Sequence, residues 1–294
     1  MTTTAPSRVD AAPRAPRSIA SPRRVVSKVY ANGVLVIVAL CFLVPLAWVL
    51  LASVDAHAGF ETQLPKVFTL ANFSAVLQPD LTLVPLWNSL LLSVGAAVVT
   101  VVVAVLAAYP LSRYQARYNK PYLYTILFGT CLPITAIMVP VYSLFVQVNL
   151  LDSMVGVIFF MAATSLPMAI WMTKNFMDSV PISLEEAAWI DGASAMSALG
   201  RVVVPLMRPG LSVVFIFVFI QAWGNFFVPF ILLLDPAKQP AAVSIYSFFG
   251  QYGAIAYGQL AAFSILYSVP VIALYVLVSR GIGGSFAMTG AMKG

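Results

Sequence analysis

The sequence predicts an all-α, polytopic membrane protein with six transmembrane helices. Of its 294 residues, 61% are hydrophobic and only 9% are charged, whereas soluble domains are about half apolar and about a quarter charged. Six windows contain no Asp, Glu, Lys or Arg, and each is longer than the roughly 20 residues that a helix needs to cross a bilayer. These windows are 29–54, 81–112, 121–151, 153–173, 209–234 and 239–279.

We expect one membrane domain, 29–280, flanked by two short segments. Residues 1–28 contain six basic residues and one Asp and are rich in Ala, Pro and Ser, so they are predicted to be a disordered leader. The first apolar run is longer than the h-region of a secretory signal, so the first span is expected to be retained. Residues 281–294 form the predicted C-terminal tail. The spans are expected at about 31–53, 85–109, 122–147, 154–173, 210–234 and 258–279.

The basic residues indicate which side of the membrane each loop faces. Fourteen of the sixteen Lys and Arg fall in the leader, the second and fourth connections and the tail, and only Lys66 and Lys238 fall elsewhere. Because Lys and Arg in loops resist translocation, the leader, the tail and both termini are predicted to be cytoplasmic. The net charge of +6 follows from this distribution and from attraction to anionic lipid, so no nucleic-acid partner is expected.

The fourth connection, residues 174–209, is the longest predicted cytoplasmic loop and contains four acidic residues. Ser183 is followed three residues later by Glu186, which is the spacing of a capping box. In a capping box the hydroxyl and the carboxylate each accept a hydrogen bond from a free backbone N–H at a helix start. The pattern therefore predicts a helix that begins near Leu184.

A bend and a second helix are predicted to follow. Gly192 can adopt the positive φ that a helix C-terminus or a tight bend requires. The second helix is expected to run from about Ser194 until Pro205 and Pro209 break it. An exposed amphipathic unit of two helices and a bend suits a groove on a partner protein, although a solvated loop without a partner would have the same pattern.

The segment Glu185-Glu186-Ala187-Ala188-Trp189-Ile190-Asp191-Gly192-Ala193, with Pro205 beyond it, resembles the EAA loop of binding-protein-dependent ATP-binding cassette importers. The resemblance implies a coupling helix that sits in a cleft of the ATPase subunit and transmits its nucleotide-driven closure. It also implies which residues lie at the ATPase-docking surface. They are Ser183, Glu185, Glu186, Ala187, Ala188, Asp191 and Gly192.

Three further segments resemble the smaller permease of maltose-type carbohydrate importers: residues 86–89, 108–114 and 290–294. That family implies import of a mono-, di- or oligosaccharide delivered by an extracytoplasmic solute-binding protein across the bacterial cytoplasmic (inner) membrane. It implies a second homologous permease subunit and an ATPase subunit dimer, which would bind the ATP and Mg. Residues 223–226 depart from the family, since Trp-Gly-Asn-Phe stands where many members have Trp-Asn-Glu-Phe.

The sequence gives no indication of chemistry by this chain. It contains no Gly-x-x-x-x-Gly-Lys-Ser/Thr phosphate loop, so the chain is not expected to be the ATPase. No nucleophile has a base in register, and His57, the only histidine, has no partners for a metal site. We therefore predict no catalytic residue, no metal and no bound cofactor.

Four side chains within the predicted spans are candidates for the solute path. Amides can bond the hydroxyl groups of a sugar, and an indole can pack on its ring, although buried amides also bond neighbouring helices. The predicted span interiors contain no ionisable residue, which favours a neutral solute and disfavours an ion-coupled carrier. The alternatives are an importer for glycerol phosphate, an amino acid or a polyamine, or a channel subunit. The candidates are Gln147, Gln221, Trp223 and Asn225.

Proline also occurs within the predicted spans. Because proline lacks an N–H, each of these residues can kink a helix and open a cavity beside it. They are Pro133, Pro140, Pro167 and Pro270.

Overall fold

The computed structural model describes residues 22–59, 61, 64–114, 116–249 and 255–290, and within these residues the regular secondary structure is helical. The predicted all-α class is confirmed. In chain order the helices are α1 (Pro22–Ser53), α2 (Ala71–Val76), α3 (Val84–Arg113), α4 (Asn119–Gly129), α5 (Ile134–Gln147), α6 (Met154–Asp178), α7 (Ser183–Ile190), α8 (Ala195–Ala198), α9 (Val204–Leu206), α10 (Arg208–Trp223), α11 (Phe227–Leu232), α12 (Ala241–Ser244) and α13 (Tyr257–Gly290). Short π-helical turns precede α3 and α9, and short 3₁₀ turns flank α12.

The first and last helices extend beyond the predicted spans, while the predicted bounds of the membrane domain stay a prediction. Helix α1 begins at Pro22, inside the stretch predicted to be disordered, since proline is well tolerated at a first helical position where no N–H is needed. Helix α13 continues to Gly290, inside the predicted tail. The rest of the predicted leader, 1–21, and the last residues, 291–294, lie outside the described residues.

By length and composition, four helical segments of the described chain can each cross a membrane, and two bent helix pairs would raise the number to six if each pair is one span. The four segments are Tyr30–Ser53, Pro79–Arg113, Met154–Asp178 and Tyr257–Arg280. The third and fifth predicted spans are thus not continuous helices.

The predicted third span, 122–147, is divided by a bend of 88° between α4 and α5. Pro133 has an extended conformation immediately before α5, with φ −60° and ψ 129°. It cannot donate a hydrogen bond back to α4, so α4, which ends at Gly129, does not continue into α5. Pro140 and Pro167 lie inside helices that continue through them, so only the first of these prolines stands at a break.

The predicted fifth span, 210–234, ends early because α10 stops at Trp223 before Gly224. At its other end, α10 meets the segment Ala195–Leu206 at an angle of 81°. The expected break at Pro205 is wrong, since that residue lies in the first turn of α9, where its missing N–H is tolerated. The bend instead falls just before Pro209.

The chain divides into two units at Trp48. In the first unit, the described side chains of residues 30–47 are exposed, as suits a helix surrounded by lipid. In the second unit, α3, α6 and α10 form the core, and small buried residues such as Ala97 and Ala169 allow close approach of the helices. A Cβ atom at Gly95 would lie 2.8 Å from the Cδ1 of Ile158, so a larger residue here would require the Ile158 side chain to move.

Candidate functional site

Helix α7 begins one residue earlier than the capping-box pattern predicts. Its N-cap is Ile182, with no side-chain capping hydrogen bond, and the helix starts at Ser183. The backbone N–H of Glu186, which the Ser183 hydroxyl would have capped, donates instead to the carbonyl of Ile182 at 3.0 Å. The predicted capping box is therefore wrong, because the chain already turns after Pro181 and supplies backbone acceptors of its own.

The two adjacent glutamates of α7 have different surroundings. Glu185 is fully buried, and its Oε1 lies 2.5 Å from the Nε of Arg113 at the end of α3. The same guanidinium donates to the carbonyls of Met177 and Val180, each at 3.2 Å. Glu186 is exposed. Arg113 thus joins the ends of α3 and α6 to α7, and Glu185 is turned away from the surface on which it was predicted to lie.

The other predicted docking residues are accessible. Ile182, Glu186 and Ile190 are one helical turn apart and share a face of α7, and Ile190 is 87% exposed. We call these three residues the docking surface. The eight-residue spacing of its two isoleucines places them on one face of a helix, and the sequence analysis, which used the motif match, did not consider it. The exposed or half-buried members of the predicted set are Ser183, Glu186, Ala187, Ala188, Asp191 and Gly192.

The predicted bend and second helix are confirmed. Gly192 has φ +87°, a conformation that favours glycine. The Ser194 hydroxyl accepts a hydrogen bond from the N–H of Ser197 at 3.3 Å and caps α8. Beyond α8, Leu199 and Val203 are buried in a cluster with the end of α6. The second helix is therefore packed onto the spans, whereas α7 presents its outer face to solvent.

A cavity of about 690 Å³ lies beside the break between α4 and α5 and is bounded by α6 and α10. Gln221 and Asn225 both line it, as predicted for the solute path. Thr130, Thr164 and Ser165 also line it, and sequence reasoning did not single them out. Each of their hydroxyls donates to a backbone carbonyl of its own helix. All the lining residues are uncharged. The cavity therefore presents amides and hydroxyls on an apolar wall.

Asn225 has a second role, since its Oδ1 accepts a hydrogen bond from the N–H of Val228 at 3.1 Å at the start of α11. The other two candidates are outside the cavity lining. Trp223 is 3% exposed and stacks on Phe219 with ring centroids 5.5 Å apart, so it belongs to the core. Gln147 is an exposed residue at the end of α5. The prediction that Trp223 contacts solute is thus not supported, because its stacking already occupies the indole.

At the opposite end of the bundle from Arg113, two loops predicted to share one side of the membrane are bound together. Asp152, with φ +59°, accepts hydrogen bonds from the N–H groups of Leu234 and Asp235, each at 3.0 Å. Lys238 Nζ lies 2.5 Å from Asp152 Oδ2 and 3.0 Å from its carbonyl oxygen. We call these four residues the loop latch.

Two hydrogen bonds hold the pKa of Asp152 below its ordinary value. The one from Lys238 has the larger effect, and the one from the Asp235 N–H has the smaller. The same bond to Asp152 raises the pKa of Lys238. The N-terminal part of α3 is attached to this region too. The Asn88 amide donates to the carbonyl of Ala237 at 2.8 Å.

Within the described ranges, no group of three or more His, Cys, Asp or Glu side chains could hold a metal ion. The expectation that the chain binds no metal stays a prediction.

Residues 100–284 match the family described as binding-protein-dependent transport system inner membrane component. The sulfoquinovosyl glycerol transport system permease protein of Agrobacterium fabrum is 31% identical over 257 residues, covering 86% of this chain and 89% of that protein. The trehalose transport system permease protein of Mycobacterium tuberculosis is 29% identical over 256 residues, covering 86% of this chain and 93% of that protein.

A solved structure of a bacterial ABC transporter involved in the import of the acidic polysaccharide alginate contains a chain with the same fold. The TM-score is 0.77 and the sequence identity 23%, over 90% of this chain and 99% of that one. At this identity the likeness establishes the fold alone.

Proposed function

This chain belongs to the family of binding-protein-dependent transport system inner membrane components, and from that premise we propose that it passes a carbohydrate across the membrane. It is a multi-pass permease subunit of an ATP-binding cassette importer and is not an enzyme, because ATP hydrolysis in such importers belongs to a separate subunit. Membership implies a partner permease, an ATPase and a solute-binding protein.

The uncharged cavity is the observation that supports a sugar. Gln221 and Asn225 supply amide groups, and the hydroxyl oxygens of Thr130, Thr164 and Ser165, whose protons are donated to backbone carbonyls, remain as acceptors. Together these groups match a solute rich in hydroxyl groups. An amino acid, a polyamine or glycerol phosphate would place its charge against these uncharged side chains, at a cost in desolvation. The name of one relative, a trehalose transport system permease protein, points the same way, since trehalose is a neutral sugar.

The solute class is tested by reconstituting the chain with its partner subunits and binding protein in liposomes. A panel of neutral sugars, amino acids, polyamines and glycerol phosphate is then compared for solute-stimulated ATP hydrolysis and uptake. Stimulation by a neutral sugar supports the proposal. Stimulation by a charged solute alone contradicts it.

We further propose that the docking surface of α7 sits in the cleft of one subunit of an ATPase dimer. The surface combines two exposed isoleucines with the exposed carboxylate of Glu186, and this mixture of apolar and acidic groups suits a groove with a basic residue at its rim. Arg113 then links the docked helix to α3 and α6, so movement of α7 is passed to α6, which bounds the cavity.

Two variants test this docking. Gly192→Pro removes the positive φ at the bend, since proline is fixed near φ −65°, and Glu186→Lys reverses the charge of the docking surface. Both are expected to leave the protein in the membrane while abolishing pull-down of the ATPase and solute-stimulated ATP hydrolysis. Arg280→Gln, a charge change on α13 and outside the docking surface, is the matched control. Retention of both activities in both variants would overturn the docking assignment.

The proposed orientation places both termini and α7 in the cytoplasm. The distribution of Lys and Arg supports it. The loops predicted to share a side also lie together, since Arg113 meets the segment after α6 and Asp152 meets the segment after α11.

A further inference from the structure

We propose that a second cavity, at the basic end of the bundle, binds the phosphate headgroup of an anionic lipid. This cavity of about 680 Å³ lies between the end of α3, the start of α4 and the end of α6. It is separate from the uncharged cavity described above, with which it shares no lining residue. We call it the basic cavity.

The charges of the basic cavity are unbalanced. Three cations line it, Arg117, Lys120 and Lys174, and its single carboxylate is Asp178. That carboxylate is already engaged, since Lys174 Nζ lies 2.5 Å from its Oδ2 and the Ser112 hydroxyl donates to its Oδ1 at 2.6 Å. Among the described residues, Arg117 and Lys120 therefore have no carboxylate partner. Three cations against one carboxylate leave the lining with a net positive charge, which attracts an anion.

The walls of the cavity suit a lipid better than a free ion. Trp171 and Tyr124 line it and are 39% and 68% exposed, and such aromatic side chains settle at the level of lipid headgroups. One turn further along α4, Phe128 is 74% exposed on the same face as Tyr124. An acyl chain attached to a headgroup in the cavity would lie along this apolar face.

The position of the cavity agrees with a headgroup site. It is formed where three apolar helices end and their flanking basic residues begin, which is where the bilayer interface lies on any placement of these spans. Basic pockets between spans on the cytoplasmic side are suited to anionic headgroups. The leaflet depends on the orientation proposed above, whereas binding of the lipid in detergent does not.

The test measures lipid binding by the full chain assembled with its partner subunits, in detergent, by native mass spectrometry. Dioleoyl phosphatidylglycerol is titrated against the wild type and the double variant Arg117→Gln/Lys120→Gln, with dioleoyl phosphatidylcholine as the neutral lipid. We expect the double variant to bind phosphatidylglycerol roughly 30-fold more weakly at its tightest site, with no change for phosphatidylcholine. Arg117→Lys/Lys120→Arg, which preserves both charges, should keep the affinity.

A matched control removes two cations outside the cavity, Arg208→Gln/Arg280→Gln, and should leave the tightest site unchanged. Equal loss in this control would show a diffuse basic surface and overturn the proposal. Unchanged affinity in the Arg117→Gln/Lys120→Gln variant would also overturn it. Displacement of phosphatidylglycerol by excess inorganic phosphate would assign the cavity to soluble phosphate and overturn the lipid assignment.

Discussion

At the level of single residues, the neighbouring carboxylates Glu185 and Glu186 have different roles, although both belong to the same sequence motif. Glu185 is fully buried and paired with Arg113, whose side chain is 5% exposed. Glu186 faces solvent on the docking surface. A buried ion pair is expensive to form, but removing one partner is costlier because the other charge remains buried. Glu185 should thus govern how α7 is held, and Glu186 what it binds.

Glu185→Gln is expected to destabilise the protein by about 3–5 kcal/mol, because Arg113 keeps its charge without a partner. The measurement is the midpoint of thermal unfolding in detergent. Glu186→Gln is the control and should leave the midpoint unchanged while weakening ATPase pull-down. Arg113→Met/Glu185→Met removes both charges and should recover most of the stability. Equal midpoints for the two single glutamine variants would contradict this division of roles.

Gln147 and Gln221 offer a second matched pair, because both are exposed glutamines and only Gln221 lines the uncharged cavity. Gln221→Ala is expected to raise the solute concentration needed for half-maximal uptake about three- to tenfold, since one hydrogen bond contributes roughly 0.5–1.5 kcal/mol. Gln147→Ala should leave it unchanged. Uptake kinetics in liposomes measure both, and an equal effect of the two substitutions would remove Gln221 from the solute path.

The sequence predicted where these residues lie along the chain better than it predicted which way their side chains point. The motif located α7, but whether Glu185 or Glu186 points inward depends on the residue at which the helix starts. Ile182 supplies that start through backbone bonds that no side-chain pattern reveals. Trp223 was misjudged because its partners, Phe219 and Tyr267, lie one turn and one helix away.

At the level of elements, the division of the third predicted span into α4 and α5 shapes the uncharged cavity. Thr130 follows the last residue of α4 at the bend, and it lines the cavity together with Gln221 and Asn225. Composition could not reveal this break, because the window that contains it is apolar throughout. Pro133 was a recognised candidate, but Pro140 was an equal one, and neighbouring groups decide which proline a helix tolerates.

The loop latch should be sensitive to acid. Asp152 has a pKa below its ordinary value, so its contribution is present above the unfolded-state pKa of about 3.9 and is lost as the pH falls through the lower, folded-state value. Lys238 has a raised pKa, so its contribution is present below about pH 10.4 and is lost as the pH rises through the folded-state value.

Asp152→Asn keeps acceptors for the N–H groups of Leu234 and Asp235 but removes the charge that pairs with Lys238. The wild type should unfold at a slightly higher temperature than this variant between about pH 5 and pH 9, by a small margin because the pair is partly exposed. The difference should shrink as the pH falls below about 3.9 and vanish once Asp152 is protonated in the folded state as well. A difference that persists in acid would show that charge is not its cause.

At the level of the whole molecule, hydropathy does not predict which side of the membrane each loop faces. The distribution of Lys and Arg does predict it. Ser179→Cys, between α6 and α7, and Gln78→Cys, before α3, place single thiols on exposed residues after Cys41 and Cys131 are replaced by Ala. A membrane-impermeant maleimide should label the first from the cytoplasmic side alone and the second from the outer side alone. The opposite result would invert the topology and remove α7 from reach of an ATPase.

Fold class, the approximate position of each apolar segment and the loop motif follow from the sequence, because lipid requires long apolar runs and satisfied backbone groups. The contacts between distant segments do not follow from the sequence. Nothing in the local pattern pairs Arg113 with Glu185 or Asp152 with Lys238, since these pairs are set by how the helices pack.

Helix α3 joins both polar ends of this bundle. Its thirty residues span about 45 Å, with Asn88 bonded to the loop near Ala237 at one end and Arg113 bonded to α7 at the other. A stiff rod anchored at both water-facing surfaces conveys displacement without needing a relay of intermediate contacts. A push on the loop near Ala237 therefore reaches α7 through this one helix.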